Sequence, residues 1–197
     1  MFSWSRLVCA LTLVLLFGAC SPSGPRFKNT DITGSDCCKD FRLTDHNGKV
    51  RTQADFRGKA VVVFFGYTQC PDVCPTTLMQ IKAVLQQLGA DAKRVQVLFI
   101  SVDPARDTRE LLASYVPAFD PDFLGLFGDA EATARTAKEF RVFYQKQAGS
   151  TPSSYTVDHT AGSYVFDPQG RARLFVRYGE EGANLAADLK TLLNSAS

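Results

Sequence analysis

The chain has 197 residues, 45% of them hydrophobic and 11% aromatic, which is enough for one α/β domain with an ordinary packed core. Its 22 basic and 20 acidic residues leave a formal charge of +2 at pH 7. There is no basic stripe and no long run of like charge, so the pattern excludes nucleic acid as the partner.

Taken in order, Met1 to Arg6 carries one positive charge, and Leu7 to Phe17 is apolar but too short to span a bilayer. Gly18 and Ala19 supply small residues before Cys20, so residues 1–19 read as a signal peptide cleaved before Cys20 and the chain as an exported one. The order Phe17-Gly18-Ala19-Cys20 resembles the lipobox of bacterial lipoproteins, which implies lipidation at Cys20. Residues 20–36 are polar and carry Pro22, Gly24, Pro25 and Gly34, as a tether does, and residues 37–197 form the folded domain. Cys37 and Cys38 are adjacent, and neighbours in a strand point to opposite faces. They are expected not to share one ligand easily and to have an incidental or minor role, with pairing elsewhere or help in binding metal the alternatives.

Phe41, Leu43 and Val50 flank Asp45-His46-Asn47-Gly48, a hairpin signal with an Asn-Gly turn, in which His46 is expected to be solvated. Val61 to Phe65 is a continuous apolar block, the mark of a strand buried on both faces. Gly66 to Gln69 break it. Pro75 suits a first helical turn, and Leu78, Ile81, Val84, Leu85 and Leu88 follow at helical spacing from Thr76 to Leu88.

Val95 to Val102 is a second buried strand, and Asp107 or Thr108 can cap a helix running through Tyr115. A short strand at Phe123 to Phe127 and a helix from Asp129 to about Phe140 come next. Gln145 to Ser154 is polar and reads as a mobile loop. Tyr155 to Val157, Gly162 to Phe166 and Arg173 to Tyr178 are extended, with a turn at Asp167 to Gly170, and Asn184 to Leu193 is an amphipathic helix. The whole predicts an α/β, thioredoxin-like fold: a central mixed sheet flanked by helices, with an added N-terminal hairpin.

Cys70 and Cys74 lie on the strand-to-helix turn, four positions apart and so on one side of it. A helix N-terminus carries roughly half a positive charge, which favours thiolate. Such a dithiol can form a disulfide, exchange one, or grip a soft metal. His159, where a loop meets the last hairpin, is the candidate third ligand, because one histidine and one dithiol in a small exported domain suggest one site.

GYTQCPDVCP, VDPARDT and YTVDHTAGSYVFDPQGR, in that order, resemble the Sco/SenC family of copper chaperones for cytochrome c oxidase, from about Phe41 to the C-terminus. The resemblance implies copper held by Cys70, Cys74 and His159, as Cu(I) or Cu(II), with Gln69 standing where many members have histidine. It also implies a role in delivering copper to, or keeping reduced the thiols of, the oxidase's dinuclear copper centre. The expected partners are the copper-bearing oxidase subunit, another periplasmic copper chaperone or a thiol reductant, and a membrane through the lipid anchor. The expected place is the periplasmic face of a bacterial membrane.

Thiolates select soft copper, with zinc the chief competitor. Asp103, at the end of the second strand, and Asp158, beside the histidine, are candidates to support the ligands from behind, with turn or cap duty the alternative. The alternative functions are a thiol–disulfide oxidoreductase, against which the three-residue gap between the cysteines speaks, and a redox sensor. A peroxidase is weaker, since no peroxide-binding arginine is marked.

Overall fold

The computed structural model describes residues 24–149, 154–180 and 182–195. The expected signal peptide, Cys20 and the start of the tether lie outside the described residues. Among those described, no helix is long and apolar enough to cross a membrane.

The sheet is organised on β4 (Ala60–Gly66), every residue of which is buried. It pairs parallel with β5 (Val95–Ser101) and antiparallel with β9 (Gly162–Phe166), so its unbroken apolar run is matched by neighbours on both edges. The parallel β4–β5 step requires a crossover, and α1 (Val73–Leu88) makes it, burying Leu78, Ile81, Val84, Leu85 and Leu88. From β5 the sheet continues to β6 (Leu124–Phe127), then β2 (Arg42–Asp45) and β3 (Val50–Thr52). Beyond β9 it runs through β10 (Ala172–Arg177) to β1 (Thr30–Asp31). The predicted N-terminal hairpin, β2–β3, is therefore one edge of this eight-stranded mixed sheet.

Helix α1 packs on α4 (Gly182–Asn194), while α2 (Arg109–Tyr115) lies against β6 and α3 (Ala130–Glu139) against β2. The fold is thioredoxin-like. At its centre the Phe140 ring meets Phe65 at 5.1 Å and Tyr164 at 5.4 Å between centroids, and the Tyr164 hydroxyl donates to the Phe140 carbonyl at 2.6 Å.

Three expectations need correction. Helix α1 begins at Val73, not Thr76, which places Cys74 inside its first turn. His46 is not solvated but 7% exposed: its ring Nδ1 accepts from the Gly125 N–H at 3.0 Å, and its backbone N–H donates to the Gly125 carbonyl at 2.9 Å. Gly125 leaves the room for this, since a Cβ there would sit 3.4 Å from Nδ1 and 3.0 Å from a Val116 methyl.

The segment expected as a mobile loop begins in a strand. β7 (Tyr144–Gln147) pairs antiparallel with β8 (Thr156–His159) as a separate two-stranded ribbon. Three of the four β7 residues are exposed, so no apolar alternation marks the strand.

Of the two candidate caps, Thr108 caps α2, its hydroxyl accepting from the Leu111 N–H at 3.2 Å. Asp107 turns inward instead, accepting from the Ser101 and Thr68 hydroxyls at 2.6 Å each. Thr108→Ala should therefore cost about 1 kcal/mol, as cap removal does elsewhere. It should appear as a lower urea midpoint with an unchanged denaturant slope; an unmoved midpoint would remove Thr108 from that role.

Candidate metal centre

Strand β4 ends at Gly66, and the chain turns through Tyr67 to Asp72 before entering α1. The turn delivers Cys70 half-exposed at its tip, with its sulfur accepting from the Cys74 N–H at 3.4 Å. Cys74 is fully buried behind it. The close approach is made at Gly66, where a Cβ would meet Cys74 Sγ at 2.9 Å and the Phe99 ring at 2.8 Å.

His159 arrives from the opposite direction, at the end of β8. Its Nε2 stands 3.5 Å from Cys74 Sγ, and one ligand atom from each of Cys70, Cys74 and His159 lies within 4.8 Å of the others. Among the described residues this is the group of three or more such side chains able to hold a metal ion. Donors each about 2.0–2.3 Å from a shared ion would be roughly 3.5–4 Å apart, so a contraction of about 1 Å or less suffices. The residues fit a soft metal ion.

The imidazole is fixed edge-on against Phe64, 72° between planes at 6.1 Å, and against Tyr67, 90° at 6.0 Å. Its Nδ1 lies 3.2 Å from the Thr160 carbonyl, and with Nδ1 protonated and donating there, Nε2 is the lone pair facing the sulfurs. Asp158, the sequence candidate for this support, instead accepts from the Gln147 side chain at 2.8 Å, across the β7–β8 ribbon. The Thr160 carbonyl, a backbone group with no side-chain signal, is what orients the ring.

Asp103 does not reach the ligands directly either. Its buried carboxylate pairs with Arg106 Nε at 2.5 Å and accepts from the Tyr155 hydroxyl at 2.7 Å. The Arg106 guanidinium stacks on the Tyr155 ring at 3.5 Å. It also donates to the Gln69 side chain at 3.0 Å and to the Tyr155 carbonyl at 2.9 Å. Gln69 precedes Cys70 and Tyr155 leads into β8, so this latch joins the two segments that carry the ligands. The arginine was the residue that sequence reasoning missed, although it lies within the VDPARDT motif.

The electrostatics overturn one expectation. Burial, then the neighbouring Cys70 thiol, pushes the Cys74 thiol well up from its ordinary value, despite its place in the first turn of a helix. A partial helix charge of roughly half a unit does not offset removal of the sulfur from water. Burial likewise holds His159 below the usual imidazole range. Without a cation the pair is thus neutral thiol and neutral imidazole. Cys70 and His159 open onto a surface cavity of about 410 Å³ shared with Tyr67, Val73 and Val157, which leaves the centre accessible from outside.

The chain is similar in sequence and fold to known proteins. The family profile described as SCO1/SenC matches residues 29–194. The mitochondrial SCO2 homolog of Bos taurus is 45% identical over 141 residues, 71% of this chain and 52% of that protein. The chain spans about half the length of the curated relatives it matches.

Bradyrhizobium japonicum ScoI, solved with copper bound, superposes with a TM-score of 0.72 at 44% identity, over 78% of this chain and 98% of that one. Apo Sco1 of Thermus thermophilus gives 0.76 at 41% identity, over 87% and 99%. Yeast Sco1 with copper bound gives 0.72 at 30% identity, over 79% and 87%.

Proposed function

The chain belongs to the SCO1/SenC family, and from that premise we propose that it is a copper-carrying assembly factor for cytochrome c oxidase. Its cargo is one copper ion held by Cys70, Cys74 and His159. It delivers that ion to the oxidase's dinuclear copper centre, or keeps the thiols of that centre reduced. The single observation supporting the reading is the convergence of two sulfurs and one imidazole nitrogen within 4.8 Å, from segments 85 positions apart at Cys74 and His159. Two thiolates favour copper as Cu(I), and the added imidazole also suits Cu(II). The half-exposed Cys70 gives a receiving protein a first sulfur to engage.

In this reading the chain works from the periplasmic face of a bacterial membrane, exported by residues 1–19 and lipid-anchored at Cys20. Its partners are the copper-bearing oxidase subunit and a donor chaperone or thiol reductant. The test loads the purified chain with Cu(I) and presents the copper-free soluble domain of that subunit. Stoichiometric metal transfer supports the carrier, and copper retained by the loaded chain refutes it. A thiol–disulfide oxidoreductase is the second reading, favoured by the same dithiol. His159→Ala separates the two: a carrier loses copper binding, whereas a reductase keeps its activity on target disulfides.

The cavity electrostatics set a pH dependence. The buried Cys74 proton must leave for copper to bind, so affinity rises with pH by about tenfold per unit for that proton alone. Neutral His159 is needed as well, and its pKa is lowered. Protonation of the ring therefore adds to the loss only below the ordinary imidazole range, and affinity falls more steeply at the acid end. Competitive Cu(I) titrations between pH 5 and 8 read both effects; a flat profile would remove both residues from the ligand set.

A further inference from the structure

A second pair of thiols lies far from the copper ligands. Cys37 and Cys38 were expected to diverge, but Cys38 has φ 64°, in the left-handed region that a non-glycine residue rarely enters. The Cys38 N–H donates to the Glu139 carbonyl at 3.0 Å and the Lys39 N–H to the Glu139 carboxylate at 2.8 Å, so the end of α3 pins this turn. The turn takes the chain out of the extended conformation in which neighbouring side chains point to opposite faces, and both cysteines carry free thiols. Cys38 is 1% exposed, while Cys37 is half-buried and accepts from the Ser35 hydroxyl at 3.3 Å.

Both cysteines line a cavity of about 580 Å³, within the usual size of a small-ligand site, with Ser35, Lys39, Arg171 and Arg173 among its walls. Its floor includes the turn after β9. Since Val61 at the start of β4 pairs with Phe166 at the end of β9, the cavity sits at the opposite end of the sheet from Cys70.

We propose that Cys37 and Cys38 form a redox-active vicinal dithiol, a site for thiol–disulfide exchange with a small-molecule or protein disulfide that enters this cavity. The Cys37 thiolate attacks the incoming disulfide, forming a mixed disulfide and expelling one thiolate. The Cys38 sulfur then attacks Cys37, closing the vicinal bond and expelling the second thiolate. The two thiol protons pass to the two leaving thiolates, and the two electrons pass with them. Cys38 needs no solvent exposure for this, because its target sulfur is its own neighbour.

Adjacent Cα atoms are about 3.8 Å apart, inside the roughly 4.4 Å lower limit of ordinary disulfides. The closed form is therefore strained and easily reduced, which suits exchange rather than structural stapling. The site is independent of the copper reading.

The test uses the reduced full chain, exposed to glutathione disulfide, quenched by alkylation and digested with trypsin. The peptide from Asn29 to Lys39 contains these two cysteines and no others. It should lose both alkylation marks and be lighter by two hydrogens, and dilute reduced glutathione should reverse this. Cys38→Ser should instead accumulate a lasting glutathione adduct on Cys37. Cys37→Ser should leave Cys38 unmodified and, because it retains the buried residue, guards against a variant that merely misfolds. Persistent double alkylation, a mixed disulfide that endures in the unaltered chain, or a bond to any other cysteine would overturn the proposal.

Discussion

Cys74→Ala should lower copper affinity by more than about 100-fold, beyond the roughly 10- to 100-fold lost when only a group behind a ligand is removed. Cys74 is the innermost of the three donors, fully buried, with His159 Nε2 at 3.5 Å and the Cys70 sulfur bonded to its own backbone N–H. Deleting it removes one of the two thiolates and the donor that faces the imidazole nitrogen, leaving one sulfur and one nitrogen to hold the ion. Cys70→Ala and His159→Ala should also lose affinity, and His159→Ala should change the spectrum of the Cu(II) form by removing its nitrogen donor. Competition with a Cu(I) chelator and paramagnetic resonance of the Cu(II) form measure these. Retention of full affinity by either cysteine variant would leave the carrier without a site.

Asp103→Ala should destabilise the fold by about 3–5 kcal/mol, the usual loss when one partner of a buried ion pair is removed. Against a typical total of about 5–15 kcal/mol that is a large share. Asp103 is wholly buried, and its two oxygens are taken by Arg106 and Tyr155. Without it the guanidinium loses its only carboxylate and keeps just the Gln69 and Tyr155 acceptors, with Nη2 already lacking a partner.

Because Arg106 also holds Gln69 and the Tyr155 carbonyl, copper affinity should fall as well, by about 10- to 100-fold, as for other groups that orient ligands. Urea unfolding gives the stability change, and a chelator competition on the folded variant gives the affinity change. A double-mutant cycle with Arg106→Ala should show strong coupling. Additive losses would deny the Asp103–Arg106 coupling, and an unaltered affinity would reduce the latch to a structural ion pair.

The strands and helices that place the dithiol were legible because their signals are local. The short unbroken run from Val61 to Phe65, all β-branched or aromatic, reads as a strand covered on both sides, and Pro75 followed by Leu78, Ile81, Val84, Leu85 and Leu88 announces the helix. β7 was not legible, because a ribbon exposed on most of its positions has no face to bury and so no alternation to read. His46 was misjudged because its surroundings come from Gly125, 79 positions away.

The chain order alone determined which residue types could meet a soft metal: a dithiol spaced by three residues at a strand-to-helix turn, and one histidine at the start of the final hairpin. Folding decided the rest. It brought the imidazole to the sulfurs and buried Cys74 so deeply that desolvation outweighs the helix charge. It also assigned the supporting contacts to the Thr160 carbonyl and to Arg106 rather than to Asp158. Spacing along a chain records local geometry, whereas desolvation and the choice of hydrogen-bond partner depend on groups that only packing brings together.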